Sequence, residues 1–279
     1  MGQFYDSCPQ NLLDWIQRQH LFFVATAPLS PNGHVNVSPK GAYDCFHIIG
    51  PNKVWYEDLT GSGSETIAHL RENKRITIMF TAFEGPPRIV RLFGTGTVYE
   101  FGTPEYEELI PKEIRKPGSR SVIMVDIHKV GSSCGYSVPY YDFKGDRTQL
   151  LEYFQRVEAK TNPNSETPCS DNGMREYWAT KNTHSIDGLP SVQYAPNSKE
   201  TPTSTWSKEE ERKKSEERVK LHRKQSYAVG NGHAVQDGDV IDAEKSAVVN
   251  ENAGTRLVAA FAMGVFTTLL CVRVAHATI

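Results

Sequence analysis

The sequence predicts a mainly β (α+β) fold, a small barrel of about six antiparallel strands with short peripheral helices. Up to about Pro190, runs rich in Val, Ile, Phe, Tyr and Leu alternate with turn signals of Gly, Pro and Asn, which is typical of successive strands around one core. Few helical stretches separate these runs, so hairpin connections are favoured over the crossovers of a parallel sheet. After Pro190 the composition becomes polar, which predicts that the packed domain ends there.

The predicted strands follow the apolar runs in chain order: LFFVATA, GHVNVSPKG, KVWYEDL, RITIMFTAF, RIVRLFGTGTVY and SVIMVDI. The second run alternates strictly, so Val35 and Val37 share one face, which we expect to be the core face. The other face is a polar row that consists of His34, Asn36, Ser38 and Lys40. In the fifth run, Gly94 and Gly96 predict a bend or a close approach of two backbones.

Short helices are predicted where the spacing of apolar residues changes or a capping signal appears. Ser62 and Glu65 have the spacing of a capping box, which predicts a helix that ends near Asn73. Asp146 and Gln149 form a second pair of this kind. The remaining helices are predicted over Asn11–Gln19, from Thr103 to Ile110 with Pro104 at the first position, and over Met174–Lys181.

The region after the barrel divides into two segments by composition. Residues 191–255 are rich in Ser, Thr, Lys, Glu and Asn, which predicts a largely disordered linker in which SKEEERKKSEERVKLHRK forms a solvated charged helix. Residues 256–279 are mostly apolar, and no charge occurs from Leu257 to Val272. This segment is either a C-terminal membrane anchor or a helix that packs on the domain or a partner, since the uncharged run is shorter than the roughly 20 residues of a usual span.

Charge and cysteine usage exclude several classes of protein. The formal net charge of −2 gives no basic stripe for nucleic acid. The five cysteines contain no C-x-x-C pair, so neither a disulfide framework nor a zinc knuckle is indicated, and a reducing, cytoplasmic compartment is favoured. The nine histidines show no spacing of a metal site, and the N-terminus lacks the basic and apolar regions of a secretory signal.

The segment TGSGSET is a loop of small residues directly before a predicted helix. Such a loop presents backbone N–H groups and the positive end of a helix dipole, which together suit a phosphate. Its hydroxyl side chains belong to Thr60, Ser62, Ser64 and Thr66. Two interpretations remain, because capping of the helix by Ser62 or Ser64 explains these serines equally well.

Several segments together resemble the pyridoxamine 5'-phosphate oxidase-like proteins. The resemblance covers Asn11 to Ile127 and rests on FFVATAPLSPNGHVNVSPKG, VWYEDLTGSGSETIAHLREN and RIVRLFGTGTV, in that order. The later SCGYSVPYYDF and NTHSIDGLP are similar to segments of a fungal-type subgroup, which extends the resemblance to Pro190. Members of this family fold as split β-barrels, commonly dimerise and bind FMN at the dimer interface. The resemblance therefore implies a homodimer with FMN as its cofactor.

The resemblance also implies which residues contact the flavin. The strand lysine that reaches the flavin in the family falls on Lys40, with Ser38 in the same polar row. The loop that holds the phosphate corresponds to Thr60, Gly61, Ser62, Ser64 and Thr66. The family strand R-Q-V-R-x-x-G matches RIVRLFG, which assigns Arg88 and Arg91; alternation allows at most one of them to face the cofactor.

Three departures from the family pattern bear on function. Ile89 stands where a flavin-contacting glutamine is usual. The stretch SGSET has no basic side chain where the true oxidases place a Ser-Arg-Lys run that clamps the phosphate. The arginine- and histidine-bearing segment with which the true oxidases bind pyridoxamine phosphate has no match, so oxidation of vitamin B6 is not supported.

The leading hypothesis is an FMN-dependent oxidoreductase that acts on a small molecule, with no catalytic residue assigned. The alternative is a non-catalytic, membrane-tethered module that binds a flavin or another ligand, or serves as a scaffold. A third interpretation is a barrel that binds a different cofactor, such as haem or a deazaflavin. Lys40 is the residue on which the leading hypothesis depends most.

Overall fold

The computed structural model describes residues 2–161 and 172–230. Its strands are β1 (Gln3–Tyr5), β2 (Phe22–Thr26), β3 (Asn36–Lys40), β4 (Phe46–Gly50), β5 (Lys53–Leu59), β6 (Arg75–Thr81), β7 (Ile89–Glu100) and β8 (Ser119–Ser133). Its helices are α1 (Gln10–Ile16), α2 (Glu65–Asn73), α3 (Pro104–Leu109), α4 (Gln149–Glu158), α5 (Met174–Lys181) and α6 (Lys208–Gly230).

All the described strand pairs are antiparallel, and they form one open sheet in the order β3-β2-β6-β7-β8-β5-β4, with β1 added on β8. The prediction of a mainly antiparallel β fold with short peripheral helices is therefore confirmed. All six predicted strands are present, and the sequence analysis missed β1 and β4. These two strands have three and five residues, which is too short for a clear alternation of apolar and polar positions.

The close backbone approach predicted at the glycines of β7 is confirmed. The register between β7 and β8 shifts between Phe93 and Gly94, which is a β-bulge. A Cβ atom on Gly94 would lie 2.7 Å from the carbonyl oxygen of Asp126, so a side chain would collide with backbone. A Cβ on Gly96 would lie 2.6 Å from the side chain of Leu70, which shows how closely α2 packs on the sheet.

The predicted orientation of β3 is wrong. Val35, just before the strand, and Val37 within it are 71% and 62% exposed, although we expected them on the core face. Within the strand the polar residues Asn36, Ser38 and Lys40 point inward instead, whereas His34, before the strand, is exposed. Asn36 donates hydrogen bonds to the hydroxyls of Thr26 (3.2 Å) and Thr66 (3.0 Å). The buried hydroxyls of Thr26 on β2 and Thr66 on α2 provide hydrogen-bond partners for this face, so it lies inside. The valines therefore lie outside, on an edge strand.

The predicted helix starts have mixed outcomes. Helix α3 begins at Pro104 as predicted, and the hydroxyl of Thr103 caps it by accepting the N–H of Tyr106. The capping box at Ser62 is wrong, because α2 begins at Glu65 with Ser64 as its N-cap residue. The second box is also wrong, because the N-cap residue of α4 is Thr148.

The compact unit extends past the predicted boundary at Pro190 and reaches Gly230. The buried carboxylate of Glu100 accepts the backbone N–H groups of Gln193, Tyr194 and Ala195, which fixes this segment to the end of β7. The predicted charged helix exists as α6. It is not merely solvated, since Arg218 pairs with Asp146 at 2.6 Å.

The structure leaves residues 162–171 and 231–279 undescribed, so the rest of the predicted linker and the apolar segment 256–279 lie outside the described residues. The membrane-anchor interpretation falls on this segment. Among the helices of the described ranges, none has both the length and the apolarity that crossing a bilayer requires.

Candidate functional site

Lys40 belongs to a buried charge cluster that joins three strands. Its ammonium donates to Oδ1 of Asp58 on β5 at 3.0 Å. Arg120 on β8 donates through Nε to Oδ2 of the same carboxylate at 2.7 Å. Ser121 adds a hydrogen bond of 3.3 Å to this second oxygen. The cluster therefore fixes Lys40 at the end of the edge strand β3.

The cluster holds two cations around one carboxylate. Burial would raise the pKa of Asp58, but the attraction of Arg120 and Lys40 outweighs it and lowers that pKa from 3.8 to about 2. The side chain of Asp58 is 0% exposed and that of Arg120 is 4% exposed, whereas that of Lys40 is 20% exposed. The group thus carries one net positive charge, and Lys40 is its member with the most access to solvent.

Arg120 connects this cluster to the glycine-containing loop before α2. Its Nη1 donates to the carbonyl oxygen of Gly63 at 2.9 Å. At the start of the loop, Thr60 donates to the carbonyl of Gly118 at 2.6 Å and accepts the indole N–H of Trp178 at 2.8 Å. The loop is therefore held by β8 and by α5, which the sequence did not place near it.

The later residues of the loop are also engaged. Asn182 donates to the carbonyl of Gly61 at 3.0 Å. The hydroxyl of Ser64 shares its one proton between the carbonyls of Asn182 (3.0 Å) and His184 (3.3 Å). Thr66 accepts from Asn36, as described above, and Ser62 is exposed. Ser64 and Thr60 are thus bound to protein groups, and Ser62 is the loop hydroxyl that faces solvent.

The space around the loop differs between its two glycines. A Cβ on Gly61 would have no atom within 4 Å, so the backbone is open to a ligand there. At Gly63 a Cβ would lie 2.3 Å from Oε2 of Glu65, whose carboxylate covers that side of the loop. The open side of the loop is therefore at Gly61 and Ser62, whereas an anion over Gly63 would meet the carboxylate of Glu65, and like charges repel.

The structure does not bring the two predicted arginines to this cluster. The guanidinium of Arg88 lies over the ring of Trp15, 5.8 Å from its centroid. Arg91 donates to the hydroxyl of Ser133 at 3.4 Å. Ser38 lies half-buried in the polar row of β3, between Asn36 and Lys40. The predicted residues that do come together are therefore Lys40 and the loop, and Arg120 connects them.

Sequence reasoning missed Asp58 and Arg120. A signal for Asp58 exists, because the run KVWYEDL places two carboxylates in a strand that is otherwise apolar, and a buried charge requires a partner. The neighbouring Glu57 confirms the rule, since it pairs with Lys116 at 2.7 Å. Spacing along the chain gives no means of choosing Arg120 as the partner of Asp58, because the two lie 62 positions apart.

Comparison with known proteins identifies the family. A protein-family model described as "Pyridoxamine 5'-phosphate oxidase" matches residues 8–134. A curated relative from Aspergillus flavus, "Pyridoxamine 5'-phosphate oxidase family protein ustO", is 43% identical over 203 residues, which are 71% of this chain and 81% of the relative.

Solved structures show weaker likeness. HupZ from Group A Streptococcus is 20% identical, with a TM-score of 0.35 over 44% of this chain and 90% of its own. An FMN-binding protein from Syntrophomonas wolfei is 15% identical, with a TM-score of 0.32 over 42% of this chain and 79% of its own. The relative from Aspergillus carries the assignment, because it combines high identity with long coverage. The chain belongs to the pyridoxamine 5'-phosphate oxidase family.

Proposed function

We propose that this protein binds FMN and acts as a flavin-dependent oxidoreductase on a small molecule. Membership of the family supports the cofactor, because relatives that the sequence resembles commonly bind FMN. The observation that carries the proposal is the cluster of Lys40, Asp58 and Arg120 beside the loop from Thr60 to Thr66. A fixed cation next to an open glycine loop offers two contacts that an anionic flavin nucleotide needs.

Each part of this site has a separate task in the proposal. Lys40 would face the polar N1 and O2 edge of the flavin ring, where a cation stabilises negative charge. The backbone at Gly61 and the hydroxyl of Ser62 would receive the phosphate. Asp58 holds Lys40 in place rather than contacting the cofactor. The bound FMN would supply the hydride chemistry, and the chain contributes position and charge.

The missing basic clamp is partly offset in this arrangement. The true oxidases place arginine and lysine in the loop itself, whereas here Arg120 reaches the loop from β8 through the carbonyl of Gly63. Its charge is shared with Asp58, so it assists a phosphate less than an unpaired arginine would. We therefore expect weaker FMN binding than a loop with its own basic residues would give.

A homodimer is part of the proposal, and the exposed face of β3 supports it. Edge strands with apolar side chains in water favour pairing or covering by another surface. Val35 and Val37 are such side chains, and they lie on the outer face of the segment whose inner face carries Lys40. A second copy that covers these valines would bury the outer face of the strand that carries Lys40.

The test is the cofactor content of the full-length protein and of a Lys40→Ala variant. We expect the heat-released supernatant of the purified protein to be yellow and to contain FMN. Loss of one charge-assisted contact should raise the Kd for FMN by about tenfold, equal to about 1.4 kcal/mol, measured by fluorescence titration of the stripped protein. The variant should stay folded because Arg120 still neutralises Asp58.

Lys53→Ala is the matched control for this titration. Lys53 also sits on a strand and pairs with a carboxylate, Asp126 at 3.4 Å, but both side chains are about half exposed. Its removal should leave the affinity for FMN unchanged. A colourless protein that takes up no added FMN would refute the cofactor, and equal affinities of the two variants would remove Lys40 from the site.

A further inference from the structure

A cavity of about 470 Å³ lies between the end of α1, the connection from β3 to β4, and α6. It begins at Gly41, one residue after Lys40, and it includes Phe22, which is paired with Lys40 across β2 and β3. None of the residues proposed above for FMN lines it. The cavity is therefore close to the proposed flavin site but separate from it.

The apolar wall of the cavity carries several aromatic rings. Phe22, Phe46 and Phe80 pack together with ring centroids 5.0 to 5.7 Å apart. Phe46 is partly exposed, whereas the other two are buried. Tyr43 adds a partly exposed ring, with the guanidinium of Arg218 at 4.9 Å from its centroid. A further aromatic ring would add to this wall by offset or edge-to-face packing.

Most ionisable groups that line the cavity are paired or neutral. The positive charge of Arg218 is matched by Asp146 at 2.6 Å. Burial, together with Arg218 and His222, lowers the pKa of His20 to about 4, so this ring is neutral at neutral pH. A ring nitrogen of His222 lies 2.6 Å from the carboxylate of Glu84, which matches any charge on this histidine.

Two further lining groups, at the start of β4, are also uncharged at neutral pH. Burial lowers the pKa of His47, whose ring stacks on Trp55 at 3.9 Å between centroids. The thiol of Cys45 stays protonated because burial raises its pKa to about 11.

Arg18 and Asp44 are the lining residues whose charges have no partner. Both are exposed, and within the described ranges neither side chain makes a hydrogen bond or an ion pair, with the other or with a third residue. Lys116 is close enough to Asp44 for the two charges to attract, but Lys116 is already paired with Glu57 at 2.7 Å. The cavity therefore presents one unpaired cation and one unpaired anion beside an aromatic wall.

We propose that this cavity binds an aromatic amino acid in its zwitterionic form. The carboxylate of the ligand accepts from the guanidinium of Arg18, which can offer two parallel N–H groups. The ammonium donates to the carboxylate of Asp44, and the ring packs against Phe46 and Tyr43. The volume of the cavity lies within the roughly 300–1,000 Å³ of small-molecule sites. The site goes beyond the proposed flavin function and stands independently of it.

A ligand with only one of the two charges fits this pair less well. An aromatic acid without the ammonium would bring its carboxylate near that of Asp44, and an aromatic amine without the carboxylate would bring its ammonium near Arg18. Like charges repel, and one attraction is lost in each case. Because both residues are exposed, each effect is moderate and amounts to about fivefold in affinity.

The test compares three probes that share one ring, by isothermal titration of the full-length protein at neutral pH. L-Phenylalanine carries both charges, phenylpropanoate lacks the ammonium, and phenylethylamine lacks the carboxylate. L-Phenylalanine should bind, and each of the other two should bind about fivefold or more weakly.

Two substitutions each remove one of the proposed contacts. Arg18→Met should lower the affinity for L-phenylalanine by about fivefold without weakening the binding of phenylethylamine. Asp44→Asn should lower it by a similar factor without weakening the binding of phenylpropanoate. Asparagine keeps the backbone at Asp44, whose φ of 50° lies in the left-handed region that this residue tolerates.

Arg156→Met and Asp6→Asn are the matched controls. Both residues are exposed, and neither lines the cavity, so these variants should bind L-phenylalanine as the unchanged protein does. The proposal is overturned if L-phenylalanine does not bind, if all three probes bind equally, or if Arg18→Met and Asp44→Asn weaken all three probes alike. A protein that binds L-phenylalanine in this pattern but takes up no FMN supports the cavity site and counts against the cofactor proposal alone.

Discussion

Replacing Asp58 by asparagine is expected to lower the free energy of unfolding by about 3–5 kcal/mol. The carboxylate is fully buried and neutralises Arg120, whose side chain is 4% exposed. An amide of the same size keeps the packing, but it leaves Arg120 as a buried charge with no counter-ion and Lys40 with no anchor on β5. Urea unfolding followed by tryptophan fluorescence measures the loss.

Asp126→Asn on β8 is the control for this substitution. Asp126 pairs with Lys53 at 3.4 Å, and its side chain is 61% exposed. Exposed pairs contribute about 0–1 kcal/mol, so this variant should unfold almost as the unchanged protein does. Equal losses in the two variants would mean that the cluster around Asp58 is hydrated and is not a buried ion pair.

The contribution of Asp58 should also depend on pH. Its pKa in the folded protein is about 2, below the ordinary 3.8, so folding favours the ionised form. The stability it adds is fully present above pH 3.8 and is lost as the pH falls towards 2. The pH-dependent contribution of Asp58 to the free energy of unfolding is about 2–3 kcal/mol. The difference in this free energy between the unchanged protein and Asp58→Asn should shrink by that amount as the pH falls from 5 to about 2. A difference that stays constant over this range would contradict the lowered pKa.

The local elements could be predicted from the sequence because short-range chemistry sets them. The threonine before Pro104 gives the start of α3, and the apolar runs give the six strands. The face of β3 could not be predicted in this way. Alternation separates Val35 and Val37 from Asn36 and Lys40, but which side is the interior depends on Thr26, Thr66 and Asp58, which belong to other elements.

The candidate site shows the same division between local and distant information. Lys40 and the loop from Thr60 to Thr66 could be found from strand alternation and from glycines before a helix. Their relation to each other depends on Arg120, which arrives from β8. Likewise, α6 could be predicted as a helix from its charges, whereas its docking through Arg218 depends on Asp146, 72 positions away. Patterns that repeat every two or four residues carry no information about contacts between residues so far apart in the sequence.

Replacing Glu100 by alanine is expected to destabilise the protein by about 3 kcal/mol or more, because several backbone N–H groups lose their acceptor at a cost of about 1–3 kcal/mol each. The carboxylate accepts from Gln193 at 2.9 Å, from Tyr194 at 2.7 Å and from Ala195 at 2.8 Å, and it also pairs with Arg71. Among the hydrogen bonds of the described residues, these three amides have no acceptor on β7 besides Glu100. Hydrogen exchange at the three positions should accelerate together with the loss of stability.

Glu105→Ala separates this effect from the loss of a charge alone. Glu105 lies exposed in the first turn of α3, where its interaction with the helix dipole is worth less than about 1 kcal/mol. It should leave hydrogen exchange at Gln193, Tyr194 and Ala195 unchanged. If these amides stay protected in Glu100→Ala, the segment after Pro190 is held by its apolar contacts, such as the buried Val192 and Ala195, rather than by the carboxylate. If they exchange freely, a single side chain on β7 explains why the compact unit continues beyond the barrel.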